Sequence, residues 1–158
     1  MDSSSTSPLS PQAVANQVRS GMLANDRATQ GLGIRITAMG PGQATLEMVV
    51  RADMLNGFDI CHGGFITTLA DSAFAFACNS RNDMTVASGL SIDFLAPARE
   101  GDHLTAEASE VSLAGRTGVY DVNVRNQQGQ AIAVFRGRSY CMKGKSTVPL
   151  GASDAAAR

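Results

Sequence analysis

Aromatic residues are scarce in this 158-residue sequence, which has no tryptophan and only 5% aromatic positions. This scarcity disfavours a protein that binds its ligand by aromatic stacking. Neither sign of charge is in excess, with 13 Lys and Arg against 14 Asp and Glu, so we expect no nucleic-acid partner. The 44% of hydrophobic residues suffices for one core, and the length predicts a single globular domain.

The sequence also lacks a long uninterrupted apolar run. The longest, residues 65–78, contains Asp71 and is shorter than the roughly 20 residues of a membrane-spanning helix, so no membrane partner is expected. Residues 1–11 are rich in Ser, Thr and Pro and carry neither the basic nor the apolar part of a secretion signal. They predict a disordered tail and a cytoplasmic location.

Cysteine and histidine are few as well. Three cysteines at wide spacings fit neither a zinc site nor a disulfide framework, and they predict reduced, buried thiols. Cys61 and Cys78 have no obvious activating base, so they are better candidates for core residues than for nucleophiles. The histidines are His62 and His103, and no acidic cluster stands beside His62, so no metal site is predicted.

Hydrophobic periodicity places one domain between residues 12 and 142. Helical spacing over residues 12–30 precedes two strands joined at a glycine-rich turn, and an almost wholly apolar helix follows the glycine pair at 63 and 64 and ends near Asn79. The pattern predicts an α+β fold in which an antiparallel sheet wraps around the apolar helix. Further alternating strands are expected at about residues 90–96, 104–108 and 120–124 and in a last strand up to Met142, before a flexible C-terminal tail over residues 143–158.

One acidic residue interrupts the apolar helix. Asp71 stands among Leu69, Ala70 and Ala73, where an ionised carboxylate without partners is costly. Such an acid is either functional or bonded to nearby backbone or a basic group, because ion-pair networks also create such positions. We favour the functional interpretation.

The segment before this helix carries the remaining candidates. Gly63 and Gly64 at a helix start present backbone N–H groups at the positive end of the helix dipole and predict an oxyanion hole, although a glycine pair also makes a tight turn. We expect His62 to position groups by hydrogen bonding, or to satisfy loop carbonyls. Asn56 could supply the left-handed turn that Asn-Gly favours. Arg116 is one of several scattered basic residues that could meet phosphates at the rim of a site.

The spacing of these residues predicts a dimer. Asp71 follows Gly64 by seven residues, so it lies about 10 Å further along the same helix. One reacting carbonyl cannot contact both groups, and the chain has no second helix of this kind. Two copies with antiparallel helices, related by a two-fold axis, would place Gly63 of one against Asp71 of the other.

These motifs resemble the hotdog-fold acyl-CoA thioesterases, and among them the phenylacetic acid degradation thioesterase family. The resemblance spans about residues 15–142 and is carried by Asn-Gly at 56–57, Cys-His-Gly-Gly at 61–64, Leu-Ala-Asp-Ser-Ala-Phe-Ala at 69–75 and the strand Leu-Ser-Ile-Asp-Phe at 90–94. It implies a sheet around one long helix, active sites at the interface of a homodimer, and a homotetramer of two dimers.

The resemblance also implies roles for single residues. The catalytic carboxylate falls on Asp71, the oxyanion N–H on Gly63, the positioning amide on Asn56, and the supporting histidine on His62. Ser91 aligns with a strand hydroxyl that assists water in some relatives. Related enzymes that use a glutamate have a hydroxyl one turn after it, whereas residue 75 here is alanine, which favours the phenylacetyl-type branch.

The expected reaction is hydrolysis of phenylacetyl-CoA, or of a ring-hydroxylated derivative, to the free acid and coenzyme A. No metal or redox cofactor is implied. Phe58, Leu69 and Phe74 are expected to line a short acyl pocket. An acyl-thioester dehydratase and an acyl-CoA-binding protein without turnover remain alternatives.

Overall fold

The computed structural model describes residues 7–151. Two short helices come first, followed by a pair of strands, the long helix and four more strands. Their bounds are α1 Pro11–Asn25, α2 Arg27–Gly31, β1 Arg35–Gly40, β2 Gln43–Val49, α3 Gly63–Asn79, β3 Asp83–Phe94, β4 His103–Ala114, β5 Thr117–Arg125 and β6 Ala131–Ser146, with a short 3-10 turn at Ala52–Met54.

The strands form one antiparallel sheet that covers α3. Their order is β1-β2-β4-β5-β6-β3. The fully buried ring of Phe74 on α3 packs against Tyr120 and Phe135, with ring centroids 5.6 and 5.9 Å apart. The predicted α+β architecture and hotdog fold are confirmed.

A glycine lets the helix approach the sheet at this point. A Cβ on Gly137 would lie 2.8 Å from three atoms of the Phe74 ring, closer than carbon atoms pack. The missing side chain therefore sets the depth to which α3 sinks into the sheet.

Strand β3 is an edge strand, since it pairs only with β6 among the described residues. It begins at Asp83, earlier than the predicted start near residue 90. The side chains of Met84, Val86, Leu90 and Phe94 are exposed along it. A long edge strand with exposed apolar side chains is a template for pairing with another chain.

Asp26 divides the predicted N-terminal helix in two. Its backbone departs from helical geometry, and its side chain accepts a hydrogen bond from the Thr29 amide at 2.9 Å, which caps α2. Side-chain capping that competes with helix continuation is the physical reason for the break.

The last strand reaches beyond the predicted start of the C-terminal tail. Residues 143–146 belong to β6, and Asp83 pairs with Ser146. Beyond the strand, Val148 is buried, and the Asn82 side chain bonds both to its amide and to its carbonyl. The tail expected from residue 143 is therefore structured up to this clamp. The disorder predicted for residues 1–6 and 152–158 lies outside the described residues, while Ser10 caps α1.

Candidate functional site

The loop before α3 is held by backbone hydrogen bonds to the loop between β3 and β4 and to the preceding 3-10 turn. The Cys61 amide donates to the Ala98 carbonyl at 2.7 Å, and the His62 amide donates to the Met54 carbonyl at 2.8 Å. These bonds fix the point at which the helix starts, so the first helical amides have a defined position.

The two glycines at the helix start differ in hydrogen bonding. The Gly64 amide donates to Nδ1 of His62 at 3.0 Å, which caps the helix. The Gly63 amide, in contrast, has no acceptor within residues 7–151. Gly63 therefore keeps an N–H free for an incoming oxygen atom, while the N–H of Gly64, which was expected to bind substrate, is already used.

The same contact fixes the chemistry of His62. Because Nδ1 accepts the Gly64 amide, a neutral His62 carries its proton on Nε2. The imidazole is exposed and lies edge-on to Phe65, with ring centroids 6.3 Å apart. His62 therefore caps the helix start and, when neutral, has an N–H donor on Nε2, while its positioning of a substrate stays a prediction.

Asn56 organises the other side of the loop. Its Oδ1 accepts the Phe58 amide at 2.9 Å and its backbone N–H donates to the Ile60 carbonyl. The left-handed residue of the turn is Asp59, with φ of 56°, and not Asn56. No residue in the described part of the chain accepts a hydrogen bond from Nδ2 of Asn56. Asn56 thus shapes the turn and still has an amide donor to offer.

A cavity of about 500 Å³ opens between this loop and the end of β3. Both Asn56 and Gly63 border it, and its other walls are mostly apolar. The remaining lining residues are Ile60, Cys61, Ile66, Phe94, Leu95, Ala96, Pro97 and Ala98. A concave, largely apolar space with two convergent polar groups is typical of a small-molecule site.

The structure changes the expected lining of this cavity. Leu69 and Phe74, predicted as pocket residues, are fully buried in the core, and Phe58 is 84% exposed on the loop. Sequence reasoning missed Phe94 and Leu95 as lining residues, of which Phe94 is the last residue of β3 and Leu95 comes directly after it. Their position at the end of an apolar strand just before Pro97 was the available signal.

Asp71 lies eight residues after Gly63 on the continuous helix α3, which corresponds to about 12 Å of rise. Its side chain is half-buried, and within residues 7–151 its carboxylate has no hydrogen-bond or ion-pair partner. Desolvation by burial raises the pKa of this carboxyl above its ordinary value. The described residues thus give no support to the alternative of a structurally paired Asp71.

The buried cysteines are not prepared for nucleophilic attack. Burial raises the pKa of Cys61 to about 11 and that of Cys78 to about 12, so both remain thiols at neutral pH. All three cysteines are free, and Cys141 is partly exposed. Within the described part of the chain, no three His, Cys, Asp or Glu residues are grouped as metal ligands would be.

Two predicted substrate-binding residues lie away from Gly63. Ser91 is on the outer face of the sheet, because its β6 partner Arg136 points away from α3. Arg116 lies in the β4–β5 turn and donates to the Tyr140 hydroxyl at 3.1 Å. It borders a small cavity beside Cys78, near the opposite end of α3.

Comparison with known proteins places this chain in a family. The model of the thioesterase superfamily matches residues 58–133. The chain is 48% identical over 126 residues to the acyl-coenzyme A thioesterase PaaI of Escherichia coli, an alignment that covers 80% of this chain and 90% of that protein.

Solved structures agree with this assignment. The structure of the E. coli PaaI protein from the phenylacetic acid degradation operon matches with a TM-score of 0.84 and 46% identity, over 86% of this chain and 99% of that one. A hypothetical thioesterase protein of Streptococcus pneumoniae, solved with coenzyme A, matches with a TM-score of 0.68 and 26% identity, over 72% of this chain and 91% of that one.

The chain belongs to the thioesterase superfamily. The resemblance to the hotdog-fold acyl-CoA thioesterases is confirmed, and so is the prediction of an enzyme that hydrolyses thioesters. None of the described helices is both long and apolar enough to cross a bilayer.

Proposed function

We propose that this enzyme hydrolyses phenylacetyl-CoA, or a ring-hydroxylated phenylacetyl-CoA, to the free acid and coenzyme A. The observation that carries the proposal is a free Gly63 amide beside a mostly apolar cavity that has room for an aryl group. The substrate class is supported by the 48% identity to PaaI, whose structure is described as that of a protein from the phenylacetic acid degradation operon.

In this mechanism the thioester oxygen accepts the Gly63 amide, and the helix dipole adds to the stabilisation of the developing oxyanion. Loss of one such donor commonly costs about 3 to 4 kcal/mol. Asn56 and His62 each have an N–H donor with which to orient the thioester. A carboxylate then either activates water or itself attacks the carbonyl carbon, and in both cases the C–S bond breaks and coenzyme A leaves as its thiolate, which takes up a proton. The water route gives the free acid directly, whereas attack by the carboxylate gives an anhydride that water then hydrolyses.

The carboxylate is Asp71 of the partner subunit. Within one chain the two groups are separated by about 12 Å of helix, too far for one carbonyl to contact both. A two-fold homodimer that pairs the exposed edge strands β3 would bring the two α3 helices together in antiparallel orientation. We further propose that two dimers form a homotetramer, as the family resemblance implies.

Arg116 of the partner subunit is the candidate for the coenzyme phosphates, since in its own chain Arg116 lies near the far end of α3. We exclude Ser91 from the mechanism because it lies on the outer face of the sheet. A cytoplasmic location is proposed with the three free cysteines as support, because reducing compartments keep thiols unpaired.

The dehydratase alternative has less support. It requires a histidine base with a nearby carboxylate, whereas Nδ1 of His62 already accepts the Gly64 amide. A binding protein without turnover would have no use for the half-buried, unpartnered carboxylate of Asp71, which raises the cost of folding.

Thiol release from a panel of acyl-CoAs tests the proposal. We expect kcat/KM for phenylacetyl-CoA or its hydroxylated derivatives to exceed that for palmitoyl-CoA by about tenfold or more. Comparable values would reject the aryl substrate. Binding of every acyl-CoA without thiol release would reject hydrolysis itself.

A further inference from the structure

Phe94 lies directly on the residue that carries the free amide. It is the last residue of β3, and it faces α3 because it pairs with the buried Ala133. A Cβ on Gly63 would be 2.7 Å from Cζ of the Phe94 ring and 3.1 to 3.2 Å from both Cε atoms. The edge of the ring therefore contacts the Gly63 backbone at the start of the helix.

The ring is not part of the core. Phe94 is 51% exposed and Leu95 is 56% exposed, and both border the 500 Å³ cavity, whereas Ile66 and Ala98 on the same cavity are buried. The cavity thus has a buried floor and an exposed apolar lip. Phe94 is the aromatic residue among the lining residues, and it touches Gly63.

We infer that Phe94 is the residue that determines acyl-group specificity in this enzyme. The inference rests on the proposed function, in which the thioester carbonyl binds at Gly63. The Phe94 ring then forms the wall of the cavity next to the reacting carbonyl, so the first atoms of the acyl group pass against it. An aryl group gains an offset or edge-to-face contact with this ring, while a long flexible chain must bend around it.

The contact also accounts for the glycine at position 63. Any side chain there would collide with the ring, so Gly63 and Phe94 are a matched pair. If the ring is removed, the cavity widens on this side, and an alanine at position 63 gains room. Replacing Phe94 by a smaller residue should therefore change both the acyl-group specificity and the ability of position 63 to accept a side chain.

The test compares Phe94→Ala and Phe94→Leu with wild type, and Val111→Ala serves as control. Val111 is 53% exposed on β4 and does not border the cavity. We measure kcat and KM for phenylacetyl-CoA and octanoyl-CoA. Phe94→Ala should lower the ratio of the two kcat/KM values, aryl over octanoyl, by about tenfold or more. Phe94→Leu should lower it less, and the control should leave it unchanged.

A second measurement uses the matched pair. Gly63→Ala keeps the amide but adds the colliding Cβ, so its activity on octanoyl-CoA should be low. The double variant Gly63→Ala/Phe94→Ala should recover activity relative to Gly63→Ala alone, by about fivefold or more, because contacting residues are energetically coupled. Independent, additive effects of the two substitutions would contradict the proposed contact.

Phe94 also lies on the exposed edge strand, so size-exclusion chromatography accompanies each assay. An unchanged aryl-to-octanoyl ratio in Phe94→Ala overturns the inference, whether or not the variant changes its oligomeric state. An equal loss on both substrates overturns it as well. Failure of the wild type to release thiol from any acyl-CoA would instead overturn the proposed function, and the specificity role with it.

Discussion

A complementation experiment tests the shared site most directly. Asp71→Asn removes the carboxylate from one kind of chain, and Gly63→Pro removes the donor N–H from the other. Because about 12 Å of helix separates the two positions, a site that uses both must take them from different chains. Each variant alone should be nearly inactive, and mixed dimers should recover activity.

The structure indicates that Gly63→Pro can fold. Position 63 is the first residue of α3, where proline is tolerated, and its amide bonds to nothing in residues 7–151. The preceding His62 has ψ of 131°, the extended conformation that proline requires of its neighbour. The added Cβ meets the Phe94 ring, so Gly63→Ala, which has the same Cβ but keeps the N–H, measures how much of the loss comes from this collision, and the further loss in Gly63→Pro is assigned to the missing donor.

The expected recovery of activity follows from counting the active sites that receive both intact residues. In a random mixture of equal amounts, a site receives an intact Gly63 with a chance of one half and an intact Asp71 with a chance of one half, so about a quarter of wild-type activity returns. The same fraction holds if dimers assemble further. Coexpression with two affinity tags removes assemblies made of one kind of chain, so the recovered activity should be about half of wild type for isolated dimers and between about a quarter and a half for tetramers. Verified mixed dimers as inactive as their parents would refute the cross-subunit site.

Two further predictions concern single residues. Asp71→Asn should lower kcat by on the order of 10³-fold. Because burial raises the pKa of this carboxyl, the folded state keeps the proton to higher pH than the unfolded chain does. Wild type therefore loses stability as the pH rises from the unfolded-state pKa to the raised folded-state pKa, and it does not regain this stability at higher pH. Asp71→Asn should therefore have the higher free energy of unfolding in urea at pH 7, and its advantage over wild type should vanish below the ordinary carboxyl pKa of 3.8. In the wild type, kcat/KM should fall as the pH is lowered, with a midpoint above 3.8, because the carboxylate is then protonated. Gly137→Ala should lower the free energy of unfolding by about 1 to 3 kcal/mol, since its Cβ meets the buried Phe74 ring, whereas Gly31→Ala, with open space around it, should change it little.

The helix at the centre of the fold could be predicted from sequence alone at both ends. A glycine pair, a continuous apolar run and Asn79 delimit α3, and these are local signals. The first half of β3 could not be predicted, because residues 83–89 show no clear alternation and are extended through pairing with β6. The same pairing orders residues 143–146, which read as a tail when taken alone.

The candidate site also combines features that local sequence signals predict with features that depend on tertiary packing. The spacing of Gly63 and Asp71 along one helix is readable from sequence alone, and the cross-subunit site inferred from it stays a prediction. The occupied amide of Gly64 depends on the orientation of the His62 ring, which no local pattern encodes. The contact of Phe94 with Gly63 joins a strand end to a helix start, and only the tertiary packing brings them together.

The sheet order has a consequence for biosynthesis. Strand β3 follows α3 directly, yet its partner in the sheet is β6, which leaves the ribosome after β4 and β5. Until about residue 146 has emerged, β3 has no neighbour and one flank of the apolar helix stays uncovered. A nascent chain released before β6 has formed would expose this apolar surface to other nascent chains.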